Sequence, residues 1–139
     1  MNGRTITEAD VVSFANLTGD HHPQHTDAPW AEQGPFGERI AHGMLVLSYA
    51  VGLVDFDPER IEALRRIREV VFKRPVAIGD TISLEVRPVD SSQDGLESYE
   101  WRVTNQHGRL VLRALVDAVV RGESSKAQDD DLAAVPVTL

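Results

Sequence analysis

Polar and apolar positions change their period once along this chain of 139 residues, near Pro58. Before that point the spacing is helical. Thr7 followed by Asp10 predicts an N-cap with an acidic first turn. Val11, Phe14, Ala15 and Thr18 then share one helical face, with Leu17 beside it, and Gly19 is a natural stop. Asp20 to His25 reads as a loop in which Pro23 biases His22 toward extended backbone. Asp27 predicts the cap of a short second helix with Pro29 in its first turn, where a missing N–H is harmless. Gln33 to Gly37 reads as a turn. Ala41 to about Val54 is apolar on nearly every face, the pattern of a helix buried all round. Gly43 and Gly52 lower its helix propensity, so each calls for a packing or ligand reason.

After Pro58 the period shortens. Glu59 to Arg68 is read as opening with a helical turn, and Glu69 to Arg74 as a strand. Pro75 to Asp80 is a connection with a Gly79-Asp80 turn. Thr81 to Val89 alternates Ile82, Leu84 and Val86 against Ser83, Glu85 and Arg87, a half-buried strand. Ser91 to Gly95 reads as a hairpin loop. Ser98 to Gln106 alternates Tyr99, Trp101 and Val103 against charged and polar neighbours, and His107-Gly108 is a tight turn. Arg109 to Arg121 is apolar on both faces. Such a strand needs cover on both sides, here from the central helix and from a second subunit. Helices first and long antiparallel strands later predict an α+β domain over residues 1–121, one curved sheet around one buried helix. Residues 122–139 are acidic and without period, and read as a tail.

Composition narrows the function classes. A net charge of −8 disfavours a nucleic-acid partner, because neutralising phosphates takes a basic surface. An anionic ligand would have to meet local cations such as Lys73 and Arg74. With no cysteine, disulfides, thiolate metal sites and cysteine nucleophiles are excluded. The first ten residues lack an apolar signal region, and no apolar run is long enough to span a bilayer. The expectation is a cytoplasmic protein with no membrane partner.

Two segments carry candidate chemistry. The first, Thr18-Gly19-Asp20-His21-His22-Pro23-Gln24-His25, brings Asp20 and His25 near enough in sequence to share a water. Imidazole titrates near neutrality and can take and give a proton, while Asp20 can orient it or hold the water. An Asp and a His five residues apart are also met where one caps a local turn and the other is a surface loop histidine. The second segment, Ile40-Ala41-His42-Gly43-Met44, opens the long helix. Its free N–H groups and positive dipole end could stabilise a developing enolate oxygen, with Gly43 permitting close approach. Tight packing is the other reason for Gly43. Ser48 can bond a ligand oxygen or its own helix carbonyl. His42 reads as an orienting or capping residue. His21, His22, His25 and His42 form a candidate metal cluster, but adjacent His21 and His22 should diverge and no HExxH pair is present, so no metal and no cofactor is expected.

These segments resemble the MaoC-like dehydratases, also called (R)-specific enoyl-CoA hydratases, of the hotdog fold. The likeness runs from Thr5-Ile6-Thr7-Glu8-Ala9-Asp10 through Phe14 to Asp20, Pro23-Gln24-His25-Thr26-Asp27 and Ile40 to Leu45, to Arg74 to Thr81. It implies an antiparallel sheet around the Ala41–Val54 helix, in a homodimer or dimer of dimers. It implies that Asp20 and His25 hold the water added across a trans-2-enoyl thioester of CoA or an acyl carrier protein, giving the (R)-3-hydroxyacyl thioester, or remove it in reverse. It places Gly43 at the thioester carbonyl and Ser48 among the site's hydrogen bonds, with His42 and His22 also in the substrate-binding set. Two departures stand out. His22 occupies a position where the family usually has Asn, and the chain starts close to the first helix, where many members carry an additional strand. The competing functions are a non-catalytic hotdog subunit that pairs with an active partner or binds acyl thioesters, and a hotdog thioesterase.

Overall fold

A computed structural model describes residues 3–91 and 93–122. Apart from Gly122, the acidic tail therefore lies outside the described residues. The chain runs β1 (Gly3–Thr5), α1 (Glu8–Thr18), α2 (Pro23–Thr26), α3 (Ala28–Glu32), α4 (Gly43–Leu53), β2 (Ile61–Phe72), β3 (Thr81–Val89), β4 (Leu96–Thr104) and β5 (Leu110–Val120). The strands form one antiparallel sheet in the order β1-β3-β4-β5-β2, which makes the fold α+β. Among the described residues, no helix is long and apolar enough to cross a membrane. Close contacts divide the described residues into two compact units. One is drawn from 3–54, 71–85 and 102–113, the other from 55–70, 86–91, 93–101 and 114–122.

The first unit contains every helix. The α1 start is the expected capping box: Asp10 N–H donates to Thr7 Oγ1 at 3.1 Å, and Thr7 N–H donates to Asp10 Oδ2 at 2.9 Å. Gly19 ends α1 at φ 83, where a side chain would be strained. Val11 and Ala15 are the buried residues of α1, whereas Leu17 is left 83% exposed. Asp27 caps α3 by accepting from Trp30 N–H at 3.0 Å. Two expectations change here. A strand does precede α1: Gly3–Thr5 pairs with β3 in the register Gly3↔Ser83, and Ile6 N–H donates to Asp80 O. The segment expected as a loop up to His25 ends in the helical turn α2, because Pro23 at the first helical position supplies the right φ and His22 Nδ1 caps it from Gln24 N–H at 3.1 Å.

Helix α4 begins at Gly43, two residues later than the apolar run. Leu45, Val46, Leu47 and Ala50 are buried, but Met44 is 56% exposed and Ser48 is exposed, so in the isolated chain it is not buried all round. Gly52 has open space around it, and nothing in the structure explains the residue.

The second unit holds the other ends of β2 to β5. The expected opening turn is present, with the Arg60 and Ile61 N–H groups both donating to Asp57 O, but strand begins at Ile61 rather than at Glu69. Ile61, Leu64 and Ile67 are spaced by three, which imitates a helix, and Glu69 at φ 52 breaks the alternation where the strand was expected to begin. The edge strand β2 lies beside β5, and its arginines meet the one buried acid of β5. Asp117 is fully buried and accepts from Ser98 Oγ at 2.6 Å, Arg66 Nε at 2.6 Å and Arg68 Nη2 at 2.9 Å. Burial alone would raise its carboxyl pKa, but those three bonds more than offset it and hold it below the ordinary 3.8. Part of the second cover expected for β5 therefore comes from the chain's own guanidinium groups.

A stability prediction follows from this cluster. Asp117→Ala should cost about 2 kcal/mol in urea unfolding at neutral pH, because the Ser98 hydroxyl and two partly exposed guanidinium groups lose their buried acceptor. A depressed folded pKa adds stability above the unfolded value that is lost as pH falls through the folded value. Wild type should therefore lose stability more steeply than Asp117→Asn below about pH 4. Parallel pH profiles of the unfolding midpoint would contradict the assignment.

Candidate active site

The Asp20 loop, α2 and the start of α4 meet within the first unit at a cavity of about 540 Å³. Asp20, Gln24, His25, His42 and Gly43 line one part of it, Phe36, Met44, Phe72 and Val111 another, and Lys73 and Arg74 a third. The Asp20 side chain is 53% exposed, while His25 is buried. Asp20 Oδ1 accepts from His22 N–H at 3.2 Å, an Asx turn that fixes the carboxylate, and Oδ2 lies 3.9 Å from His25 Nε2. That separation is too long for a direct hydrogen bond. One water oxygen can reach both atoms at about 2.8 Å.

The state of His25 follows from its other nitrogen. Nδ1 lies 2.7 Å from Ile40 O, and a carbonyl oxygen only accepts, so Nδ1 carries the proton and donates. Nε2 keeps a lone pair, to which the Gln24 amide donates at 3.4 Å. Burial is the largest influence on the ring and holds its pKa below the ordinary 6.5. The Ile40 carbonyl and Asp20 oppose that shift, and His42 and His22 reinforce it. A neutral imidazole with its lone pair beside a carboxylate is a proton acceptor at physiological pH.

No side chain caps α4. His42 is its N-cap residue through the backbone, and its imidazole instead donates from Nε2 to Asp20 O at 2.9 Å. Gly43 follows at the first helical position with its Cα open to the ring of Phe72. A Cβ there would lie 2.7 Å from Cε1 of that ring. The approach of Phe72 is therefore a packing reason for glycine at this position. The uncapped helix start, with its N–H groups, forms part of the same cavity wall.

The cavity thus brings together Asp20, His25, His42 and Gly43, along with Lys73, Arg74 and Phe36. Ser48 is not among its lining residues; its hydroxyl donates to Met44 O at 2.7 Å, within its own helix. His22 is also outside the lining: it caps α2, and Trp30 stands edge-on to its ring at 5.4 Å. Tyr49 bonds Arg4 at 3.1 Å and does not shape the cavity. Sequence reasoning missed Gln24, Phe72 and the Ile40 carbonyl. Gln24 sits between two residues already singled out and Phe72 precedes Lys73, but neither adjacency reveals which way a side chain points.

The donor atoms of Asp20, His25 and His42 lie within 4.8 Å of one another, so a metal has to be considered. The His25 and His42 rings are stacked, 3.8 Å apart between centroids and 26° apart in plane. Imidazole lone pairs lie in the ring plane, and two nearly parallel planes offer no common point close to both nitrogens. The donor set as folded does not suit an ion.

An antiparallel sheet preceded by a long apolar helix, with an acid and a histidine beside that helix's first turn, is a hotdog-type domain. Residues 1–109 match the model of the MaoC-like domain, and the chain belongs to that family. It is 43% identical over 84 residues to protein MaoC of Klebsiella aerogenes, which covers 60% of this chain and 25% of that protein. It is 31% identical over 114 residues to the (R)-specific enoyl-CoA hydratase of Aeromonas caviae, covering 81% and 84%. The solved structure of the monoamine oxidase regulatory protein from Archaeoglobus fulgius superposes with a TM-score of 0.73 at 43% identity, over 85% of this chain and 84% of that one. The chain spans between a quarter and three fifths of the first three curated relatives it matches.

Proposed function

We propose that this protein adds water reversibly across the double bond of a trans-2-enoyl thioester, on CoA or an acyl carrier protein, to give the (R)-3-hydroxyacyl thioester. The observation that carries this reading is one cavity wall shared by Asp20, His25 and the uncapped start of α4. A water bridging Asp20 Oδ2 and His25 Nε2 attacks C3. One of its protons passes to the pair as the C3–O bond forms. The electrons of the double bond move to the thioester oxygen, which the N–H groups at Gly43 stabilise as an enolate. The enolate collapses, C2 takes a proton from the pair, and the hydroxyl stays on C3. Dehydration runs the same steps backward. Relatives named as enoyl-CoA hydratase and 3-hydroxybutyryl-CoA dehydratase support this reaction class.

Phe36, Met44 and Phe72 give the acyl chain an apolar wall, and Lys73 and Arg74 are placed for anionic parts of the carrier. We read the acting form as a homodimer or dimer of dimers, since Met44, Val71 and Phe72 are left 56%, 38% and 51% exposed in one chain. The testing experiment follows loss of enoyl absorbance with crotonyl-CoA and longer enoyl-CoA substrates. Turnover on at least one is the expected result, and no turnover on enoyl-CoA or on enoyl-carrier protein would refute the reading.

The pH profile adds a second expectation. The active pair needs the Nε2 lone pair, and burial depresses the His25 pKa. The acidic limb of kcat/KM should therefore have its midpoint below 6.5, with a flat profile through neutrality. A midpoint above 6.5 would contradict the depression of the His25 pKa by burial.

A further inference from the structure

His42 is the most buried polar side chain of the cavity wall, and the steps above do not use it. It is gripped from three directions. The Phe14 ring of α1 packs on it at 5.0 Å between centroids, and the His25 ring of α2 stacks on it at 3.8 Å. Its Nε2 lies 2.9 Å from the carbonyl oxygen of Asp20. Because that oxygen only accepts, Nε2 must carry the proton. Nδ1 then faces the interior, buried and without a hydrogen-bond partner. A ring retained only for packing would be better served by phenylalanine, which has no nitrogen to leave unpaired. What imidazole adds is the Nε2–H donor, and that donor reaches the residue whose carboxylate does the chemistry.

Resting on the hydratase reading, we propose that His42 is a positioning residue for both members of the pair. Its Nε2–H fixes the backbone of Asp20, and its ring face fixes the plane of His25. Both partners of the bridging water are thereby referred to one buried side chain at the helix start. The groups facing His25 are Asp20 and His22 from the loop, His42 from the α4 start and the Ile40 carbonyl, with Gln24 beside it. Of these, His42 touches both the Asp20 backbone and the His25 ring. Its nearness also disfavours charge on His25, so removing it should ease His25 protonation.

The test uses variants that each keep half of the contact. His42→Gln keeps a side-chain N–H donor and loses the ring face. His42→Phe keeps the face and loses the donor. His42→Ala loses both. Each should lower kcat for crotonyl-CoA, by about tenfold for the half-contact variants and about a hundredfold for His42→Ala, with KM within about threefold. The acidic limb should move to higher pH in all three. The His25 ring protons, followed by NMR, should titrate at higher pH in the same variants without any substrate present. A role in packing alone would lower the unfolding midpoint and leave kcat per folded molecule and the His25 titration at their wild-type values, and that result would overturn the proposal. If His42→Ala does not fold, the Gln and Phe variants carry the comparison. A wild-type protein inactive on every enoyl thioester would refute the hydratase reading alone. The His25 titration would still decide whether His42 positions it.

Discussion

Asp20→Asn and His25→Ala should each lower kcat/KM for enoyl-CoA hydration by about a thousandfold, the scale expected when a positioned acid/base group is removed. Asn keeps the size of the side chain and one oxygen for the His22 N–H, so the Asx turn can survive while the second proton acceptor is lost. The alanine variant removes the Nδ1–H bond to Ile40 and opens a small cavity, so it should fold with a lower unfolding midpoint. The informative variant is the double mutant. Two groups that hold one water act as a unit, so losing both should cost little more than losing one. Multiplicative losses would mean that Asp20 and His25 act in separate steps. Turnover within tenfold of wild type in both single variants would remove the pair from the chemistry.

Gly43→Ala should lower kcat/KM by about 10- to 100-fold, the scale of a misplacement near 1 Å at a reacting centre. It should leave stability nearly unchanged. Gly43 has no positive φ, so alanine fits the backbone and gains helix propensity of up to about 1 kcal/mol. Against that gain stands the Phe72 ring, which a Cβ would approach to 2.7 Å. The ring is half exposed and can swing aside at a similar cost, so the two effects roughly cancel in stability. They do not cancel in function, because Phe72 lines the same cavity. The double variant Gly43→Ala/Phe72→Ala separates the two reasons for glycine. Recovery to within about threefold of Phe72→Ala would trace the loss to the displaced ring. No recovery would mean that a methyl group at 43 itself obstructs the thioester, which is the close-approach role expected of glycine.

Much of the frame was legible in the residues because its signals are local. The Thr7/Asp10 box, the Gly19 stop, the Asp27 cap and the strand Thr81–Val89 depend on neighbours within a turn or a strand, and each reappears where it was read, although of the alternating apolar positions of that strand only Ile82 is buried and Val86 is exposed. β2 was not legible in that way. Its apolar spacing imitates a helix, and pairing along β5 overrides the local preference. The short strand at Gly3–Thr5 exists only because β3 offers it an edge, which no three-residue window can announce.

The site divides along the same line. The sequence by itself determined which groups are available: one acid and three histidines on a short Pro-stiffened turn, and a glycine opening an apolar helix. Their types and spacing set what chemistry is possible. Tertiary structure alone decided their states. The Ile40 carbonyl, fifteen residues from His25, assigns its proton to Nδ1, and burial keeps the ring neutral. The Asp20 carbonyl recruits His42 away from capping α4. Phe72, from the end of β2, gives Gly43 a packing reason beside the chemical one. Ser48 and His22 turn to their own backbone neighbours. Protonation, tautomer and exposure depend on atoms brought together from distant parts of the chain, and a linear pattern carries no record of those distances.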